Sequence, residues 1–400
     1  MLKLLRLAGL SFAAFAALGV AYESQAAAQA VACSSLPNPI YVAGSSAIRP
    51  LLFTLGAKLA ADATTPTTIV YVGASGSCDG VNTIVTGLTV TTGGKYRPAN
   101  ATSELDCTNT GGQAIDVGMS DVFPTSCPDI TTALLAGVGD FAGPVQSMNF
   151  VVPKAATQTK ISAEAAYLTF GLGAAGKTDW DNPALYAIRN FQSGTETMLA
   201  HAINVPTNKW LGMDKGGSGG VITAISGATS PEKTIGILAS TEADVAANRI
   251  TIKRLAFQPY GETCALYPDS SFSSTDKFNV RNGLYQVWGP VHMLAKVDGQ
   301  NVPTNPKAKQ LLDILLGNTE VDGVDPVDEE IKNFTVPQCA MNVERTSELG
   351  KPKAYSPAGA CDCYFESKTG GASASCKTCD TAADCTAAAP KCNRGYCEVK

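Results

Sequence analysis

Apolar residues along this chain follow two alternating rhythms: short unbroken runs, and runs with positions three or four apart. NPIYVAGSS carries an unbroken run at Ile40 to Ala43 that reads as a strand. After a Gly-Ser turn, Leu51, Leu52, Leu55 and Leu59 fall at helical spacing from about Arg49. TIVYV repeats the strand signal and passes into the small-residue loop GASGSCDG. AIDVGMSD makes a third strand ending at Ser120 and Asp121, and NFVVPK, around Phe150, makes another. ISAEAAYLTF predicts a helix capped by Ser162 with Glu164 in its first turn. TIGILAS then reads as a strand, 241–247 as a helix and ITIKRLAF as a strand, and NPKAKQLLDILLG as an amphipathic helix stopped by Gly317. Strands alternating with helices predict an α/β sheet, whose ligands gather beyond the carboxyl ends of strands. The turns at 44–46, 73–77 and 118–121 all follow predicted strands and carry serine and glycine.

The two ends of the chain break this rhythm. Residues 1–30 read as a secretory signal peptide: Lys3 and Arg6 are followed by an apolar stretch from Leu7 to Val20 and by small residues from Ala26 to Ala30. Cleavage after Ala28 or Ala30 fits, and AVAC leaves lipidation of Cys33 as the alternative. Export to the periplasm or cell surface is the expectation. About 370 residues follow, enough for two lobes with cores of their own. Beyond about Tyr355 apolar content falls away and seven of the thirteen cysteines crowd together. Such a segment cannot build a core without cross-links, so 356–400 is predicted to be a disulfide-stapled module on a short linker. Among the scattered cysteines, Cys107 with Cys127 and Cys264 with Cys339 are the expected pairs, and the odd total leaves one thiol over. A net charge of −5 with no basic stripe argues against nucleic acid as a partner.

Three motifs suggest chemistry that their context does not support. GLGAAGKT (171–178) fits the phosphate-loop pattern, but a predicted helix precedes it and Pro183 follows, where a strand and then a helix are required. GGSGG (216–220) matches the serine-hydrolase elbow, yet the chain has only His201 and His292 for a triad, and both read as structural. That leaves a hydrolase using Ser218 as a minor alternative. CKTC (376–379) lacks the second C-x-x-C and the histidines of a zinc site, and disulfides are the better reading. No cofactor or metal is expected.

RNFQSGT (189–195), just before MLAHAI, has the composition of an anion-holding helix start. Arg189 supplies a permanently charged planar fork and Ser193 and Thr195 supply hydroxyls. Gly194 lets an oxyanion approach unpaired first-turn N–H groups. Read in order, AGSSA (43–47), GASGSCDGV (73–81), IDVGMSD (115–121), LTFGLGAAGKTDWDNP (168–183), RNFQSGT and KGGSGGVITAI (215–225) resemble the phosphate-binding proteins of bacterial phosphate ABC transporters. The resemblance spans about 38 to 340.

It implies a two-lobed, class II periplasmic-binding-protein-like α/β fold that is not an enzyme, with the cysteine-rich tail as an addition. One lobe would combine 38–146 with 253–345 and the other would span 147–252. The implied ligand set is Ser46, Ala47, Ser77 (or Ser75), Asp121, Arg189, Ser193, Gly194 and Thr195. The implied partners are phosphate or a related oxyanion and an inner-membrane ABC permease, the protein itself being monomeric. Asp121 would favour an oxyanion that carries a proton, because an unprotonated one meets an unpaired buried charge. One position departs from the pattern: Phe191 stands where the family places an acid that steadies the arginine. Altered anion binding, with docking through the tail, is the alternative reading.

Overall fold

The structure, a computed structural model, describes residues 31–73, 76–370 and 375–399. The predicted leader and Ser75 lie outside them. The principal strands and helices are β1 Pro39–Gly44, α1 Arg49–Leu59, β2 Thr68–Val72, α2 Ser77–Thr86, β3 Val117–Ser120 and β4 Val138–Pro153. They continue with β5 Tyr186–Ile188, α3 Gly194–Ile203, α4 Ser218–Ser226, β6 Ile235–Ala239, α5 Ser240–Ala243, β7 Ile252–Arg254 and β8 Trp288–Lys296. Three helices, α6 Pro306–Leu315, α7 Pro326–Lys332 and α8 Asp362–Thr369, complete the set. No helix of the described residues is long and apolar enough to cross a membrane.

A 12-stranded mixed sheet organises these elements, and β4 is its spine. Its residues Val138 to Ser147 pair antiparallel with β8, and Met148 to Val151 pair antiparallel with β6. β7 lies along its last three residues on the other edge. On one side β8 continues into β3, β1 and β2, and on the other β6 continues into β5 and Met213–Asp214. The sequence expectation around Phe150 caught only the end of this 16-residue strand. Its first half carries polar and small residues, GDFAGPVQS, which conceal a strand from an apolar-run criterion. The polar insert at 91–112 also differs from a plain loop, because Gly94–Tyr96 and Leu105–Thr108 extend the sheet beyond β2.

Helices cover the sheet in separate cores. Leu51, Leu52, Leu55 and Leu59 of α1 and Leu311, Leu312 and Leu315 of α6 pack with Ile40 and Val42 of β1 and Met293 of β8. Around the second half, Phe170 stacks on Trp210 at 4.5 Å and on Phe150 at 5.6 Å. Val221 and Ile225 of α4 close on Val151 and Leu238. Asn305 caps α6 by accepting the Lys307 N–H at 2.9 Å, with Pro306 in the first turn, where a missing N–H costs nothing. The helix expected at 241–247 is shorter, ending at Ala243. Asp244, just beyond it, faces Lys277 Nζ at 2.7 Å and Arg254 at 2.9 Å; Asp269 joins both cations, closing a buried four-member ionic cluster.

The disulfides correct both expected pairings. Cys107 bonds Cys33, Cys127 bonds Cys78, Cys339 bonds Cys361, and Cys264 is the free, exposed thiol. Sequence proximity favoured Cys107 with Cys127, but strand pairing decides: Val31 stands opposite Cys107, which brings Cys33 within reach. Lipidation of Cys33 is incompatible with its bond to Cys107. Cys363–Cys376, Cys379–Cys392 and Cys385–Cys397 staple the tail, so CKTC contributes to two disulfides and not to a metal site. The tail is also docked, not merely tethered. Phe365 of α8 is 1% exposed, with the Arg281 guanidinium 4.8 Å from its ring centre. Arg281 also pairs with Asp362 at 2.5 Å, and Arg394 with Asp325 at 2.5 Å. Truncating Phe365 to alanine is expected to cost about 3–5 kcal/mol in equilibrium denaturation, the usual range for a buried phenylalanine. A free-swinging tail would show no such loss.

Candidate functional site

Three strand ends and one passing strand deliver polar groups to one buried place. β1 ends at Gly44, whose φ of +122° and approach to the Met119 carbonyl exclude a side chain; a Cβ would lie 2.0 Å from that oxygen. The chain turns there and presents Ser45, Ser46 and Ala47. β3 runs parallel to β1 and ends beside it, so Asp121 follows directly. β5 ends at Ile188 and presents Arg189, and β4 passes through with Gln146.

Asp121 is the centre of this arrangement, at 2% exposure. Ser45 Oγ donates to its Oδ1 at 2.5 Å, Gln146 Nε2 donates to the same oxygen, and Ser77 Oγ donates to Oδ2 at 3.0 Å. The backbone N–H of Asp121 returns a bond to Ser77 Oγ at 3.1 Å. Burial pushes the Asp121 carboxyl above its ordinary range, against the lowering effects of Ser45, Ser77, the Arg189 charge and Gln146. A carboxylate has about four lone-pair positions, two on each oxygen. Oδ1 accepts two of these bonds and Oδ2 one, so an acceptor position remains on Oδ2.

Arg189 is 4% exposed. Its Nη1 donates to Ser46 Oγ at 3.2 Å, and its Nε is buried without a hydrogen-bond partner. Among the described residues no carboxylate forms an ion pair with it, although Asp121, Asp214 and Glu196 lie close enough to be felt. Burial lowers the Arg189 pKa against those charges and Tyr71. The start of α3 faces the same place. Ser193 caps it, accepting the Glu196 N–H at 3.4 Å, and Gly194 sits so close that a Cβ would lie 2.3 Å from Ser77 Oγ and 2.8 Å from Asp121 Cβ. Cys78 N–H donates to the Gln192 carbonyl at 3.0 Å, fixing α2 against this loop.

The structure therefore brings together Ser46, Ala47, Ser77, Asp121, Arg189, Ser193, Gly194 and Thr195. Three of them stand in roles other than simple ligand donors, Ser77 among them because its one hydroxyl proton goes to Asp121. The Ala47 N–H already donates to Ser45 Oγ at 3.1 Å, and Ser46 Oγ is shared between Arg189 and Ser218 Oγ, 3.4 Å away. Phe191 turns outward at 49% exposure, and an acid from elsewhere supports the arginine loop. Glu196 Oε2 accepts the Arg189 backbone N–H at 3.0 Å. Ser45, Gln146 and Glu196 were not singled out from sequence. Only Glu196 carried a signal, because S-G-T-E has the spacing of a capping box.

The decoys resolve in the same terms. Residues 171–178 follow the helix Ala163–Tyr167 through a wide π-type turn, Leu168–Leu172, and a 3-10 turn, Gly173–Gly176, with no strand directly before them and no α-helix directly after. Ser218 opens α4 with no histidine bonded to it among the described residues, and His292 Nδ1 is held by Asp140 at 2.8 Å.

Burial drives the Glu196 carboxyl up to about 8, above its unfolded value near 4.5. The folded state thus holds a proton that the unfolded state has lost, and this contribution to stability is full below pH 4.5 and lost as pH rises to about 8. Glu196→Gln keeps an acceptor for the Arg189 N–H and removes the titration. Its melting temperature is expected to fall less steeply between those pH values than that of the unsubstituted protein. Parallel curves would remove Glu196 from the linkage.

No protein-family model and no curated protein matches this chain. Solved structures do resemble it. A chain described as a phosphate ABC transporter substrate-binding protein with bound phosphate, from Clostridium perfringens, matches at a TM-score of 0.52 and 14% identity, over 75% of this chain and 99% of its own. An ABC-type phosphate transport receptor from Vibrio cholerae follows at 0.45 and 15%, over 74% and 99%. A phosphate-binding protein from Stenotrophomonas maltophilia follows at 0.44 and 12%, over 78% and 92%. At such identities the first of these likenesses speaks for the fold: a two-lobed periplasmic-binding-protein α/β architecture, extended in this chain by a cysteine-rich tail.

Proposed function

We propose that this protein is an exported, monomeric solute-binding protein that captures phosphate as HPO₄²⁻ between its lobes, 38–146 with 253–345 and 147–252. It would deliver the anion to an ABC permease or report its presence. The observation that carries this reading is Arg189: a buried guanidinium with an unpartnered Nε and no ion pair among the described residues is a place for an anion. Hydroxyls of Ser46, Ser193 and Thr195 and the first N–H groups of α3 would complete the cradle, with Ser77, whose proton goes to Asp121, lining it. The acceptor position left on Asp121 Oδ2 supports a ligand that carries a proton. Monohydrogen phosphate has one at neutral pH and sulfate does not.

A second reading draws on the docked tail, whose buried Phe365 and ionic anchors make a fixed surface in place of a loose appendage. On that reading the protein acts through contacts at the tail, and the anion site is altered or idle.

Calorimetry near neutral pH separates the two. Micromolar or tighter binding of phosphate, with sulfate much weaker, is expected, and Arg189→Ala or Asp121→Ala should abolish it. Asp121→Asn, which can donate a hydrogen bond to an unprotonated oxygen, is expected to narrow the gap between phosphate and sulfate. Absence of heat with every oxyanion tried would reject capture and leave the tail reading.

A further inference from the structure

Twelve of the thirteen cysteines are paired, and the remaining thiol, Cys264, lies on the wall of a cavity of about 540 Å³. That volume is in the range of small-molecule sites. The same cavity is lined by Arg345, Gln286, Lys351, Leu284 and Glu262. Arg345 is the informative member. It is 7% exposed, its guanidinium lies 3.9 Å from the centre of the Trp288 ring, and its Nη1 donates to the carbonyls of Gln286 and Trp288 at 2.9 Å. These contacts hold the fork rigidly, yet Nε has no partner and no carboxylate among the described residues forms an ion pair with it. Burial lowers its pKa to about 10, with Glu348 opposing. Gln286 Oε1 is a second buried atom without a partner.

A held cation with no ion pair among the described residues, a glutamine with an unmet acceptor and an exposed thiol thus line one cavity. Lys351 adds charge of the same sign, and Glu262 is the single acid in the cavity's lining. We propose that this cavity is a thiol-exchange site, in which Cys264 forms a mixed disulfide with a small carboxylate-bearing thiol whose anionic group is held by Arg345 and Lys351. The co-reactant is the oxidised, disulfide form of that small thiol. The Cys264 thiolate attacks one of its sulfurs, the original S–S bond breaks, and a new one forms to Cys264. The departing sulfur leaves as a thiolate and takes up the proton that Cys264 lost. A chain with six disulfides folds under oxidising conditions, where such disulfides are available to an exposed thiol.

The test uses the full chain with two probes, oxidised glutathione (anionic) and 2-hydroxyethyl disulfide (neutral). Each rate is read by intact mass and peptide mapping and divided by the rate of the same probe with a free small thiol. The expected product is a single adduct at Cys264, absent in Cys264→Ser, with the anionic probe favoured about tenfold, as one added charge-assisted hydrogen bond implies. Arg345→Gln and Lys351→Gln should each reduce that preference while leaving the neutral probe's rate unchanged. Because Arg345 is buried against Trp288, the probe comparison in the unsubstituted protein decides if that variant fails to fold. Equal normalised rates for the two probes, or a Cys264-linked dimer as the main product, would overturn the proposal.

Discussion

Asp121 imposes the constraint that the rest of this structure meets. A carboxyl removed from water loses its hydration and must recover donors from the protein. Here those donors come from three different elements: Ser45 at the end of β1, Ser77 at the start of α2 and Gln146 on β4. Each has to reach the same few ångströms, which fixes how β1, β3 and β4 are staggered and how closely α2 approaches. The glycine at 194 belongs to the same constraint, because any side chain there would displace Ser77 or Asp121.

Arg189 is held on opposite terms. Its charge is buried beside acids with which it forms no ion pair among the described residues, and Glu196 supports it through the backbone N–H alone. That arrangement fixes the loop while leaving part of the guanidinium uncommitted. An acid bound directly to the fork would have neutralised it and removed its use for an anion. An acid that supports the loop through a backbone N–H, seven places after the arginine, thus leaves the fork itself unbound.

How much of this was legible in the sequence depended on range. Strand ends, small-residue turns and the RNFQSGT helix start are local features, and they led to Ser77, Asp121, Arg189 and the 193–195 turn. Gln146 was invisible because its partner lies 25 residues away and nothing around it marks a strand. Ser45 stood next to the serine that was chosen, and only the exit angle set by Gly44 decides which hydroxyl turns inward. Cysteine pairing failed for the same reason as Gln146. Proximity along the chain favoured Cys107 with Cys127, whereas the register of a two-residue strand brought Cys33 to Cys107. The tail's composition announced cross-links, but its docking rests on Phe365 and Arg281, which no pattern in either segment connects.

Among the described residues, every disulfide lies outside 147–252, so the covalent staples fall before and after that stretch of chain. Cys78–Cys127 joins α2 to the segment just beyond Asp121, while Arg189 and the start of α3 sit on unstapled chain. The segments on either side of the site therefore differ in what preserves them. A reducing milieu would loosen the segment that carries Asp121 while the segment that carries Arg189, held by packing already, would keep its supports, making the redox state of the surroundings an asymmetric control on the shape of the site.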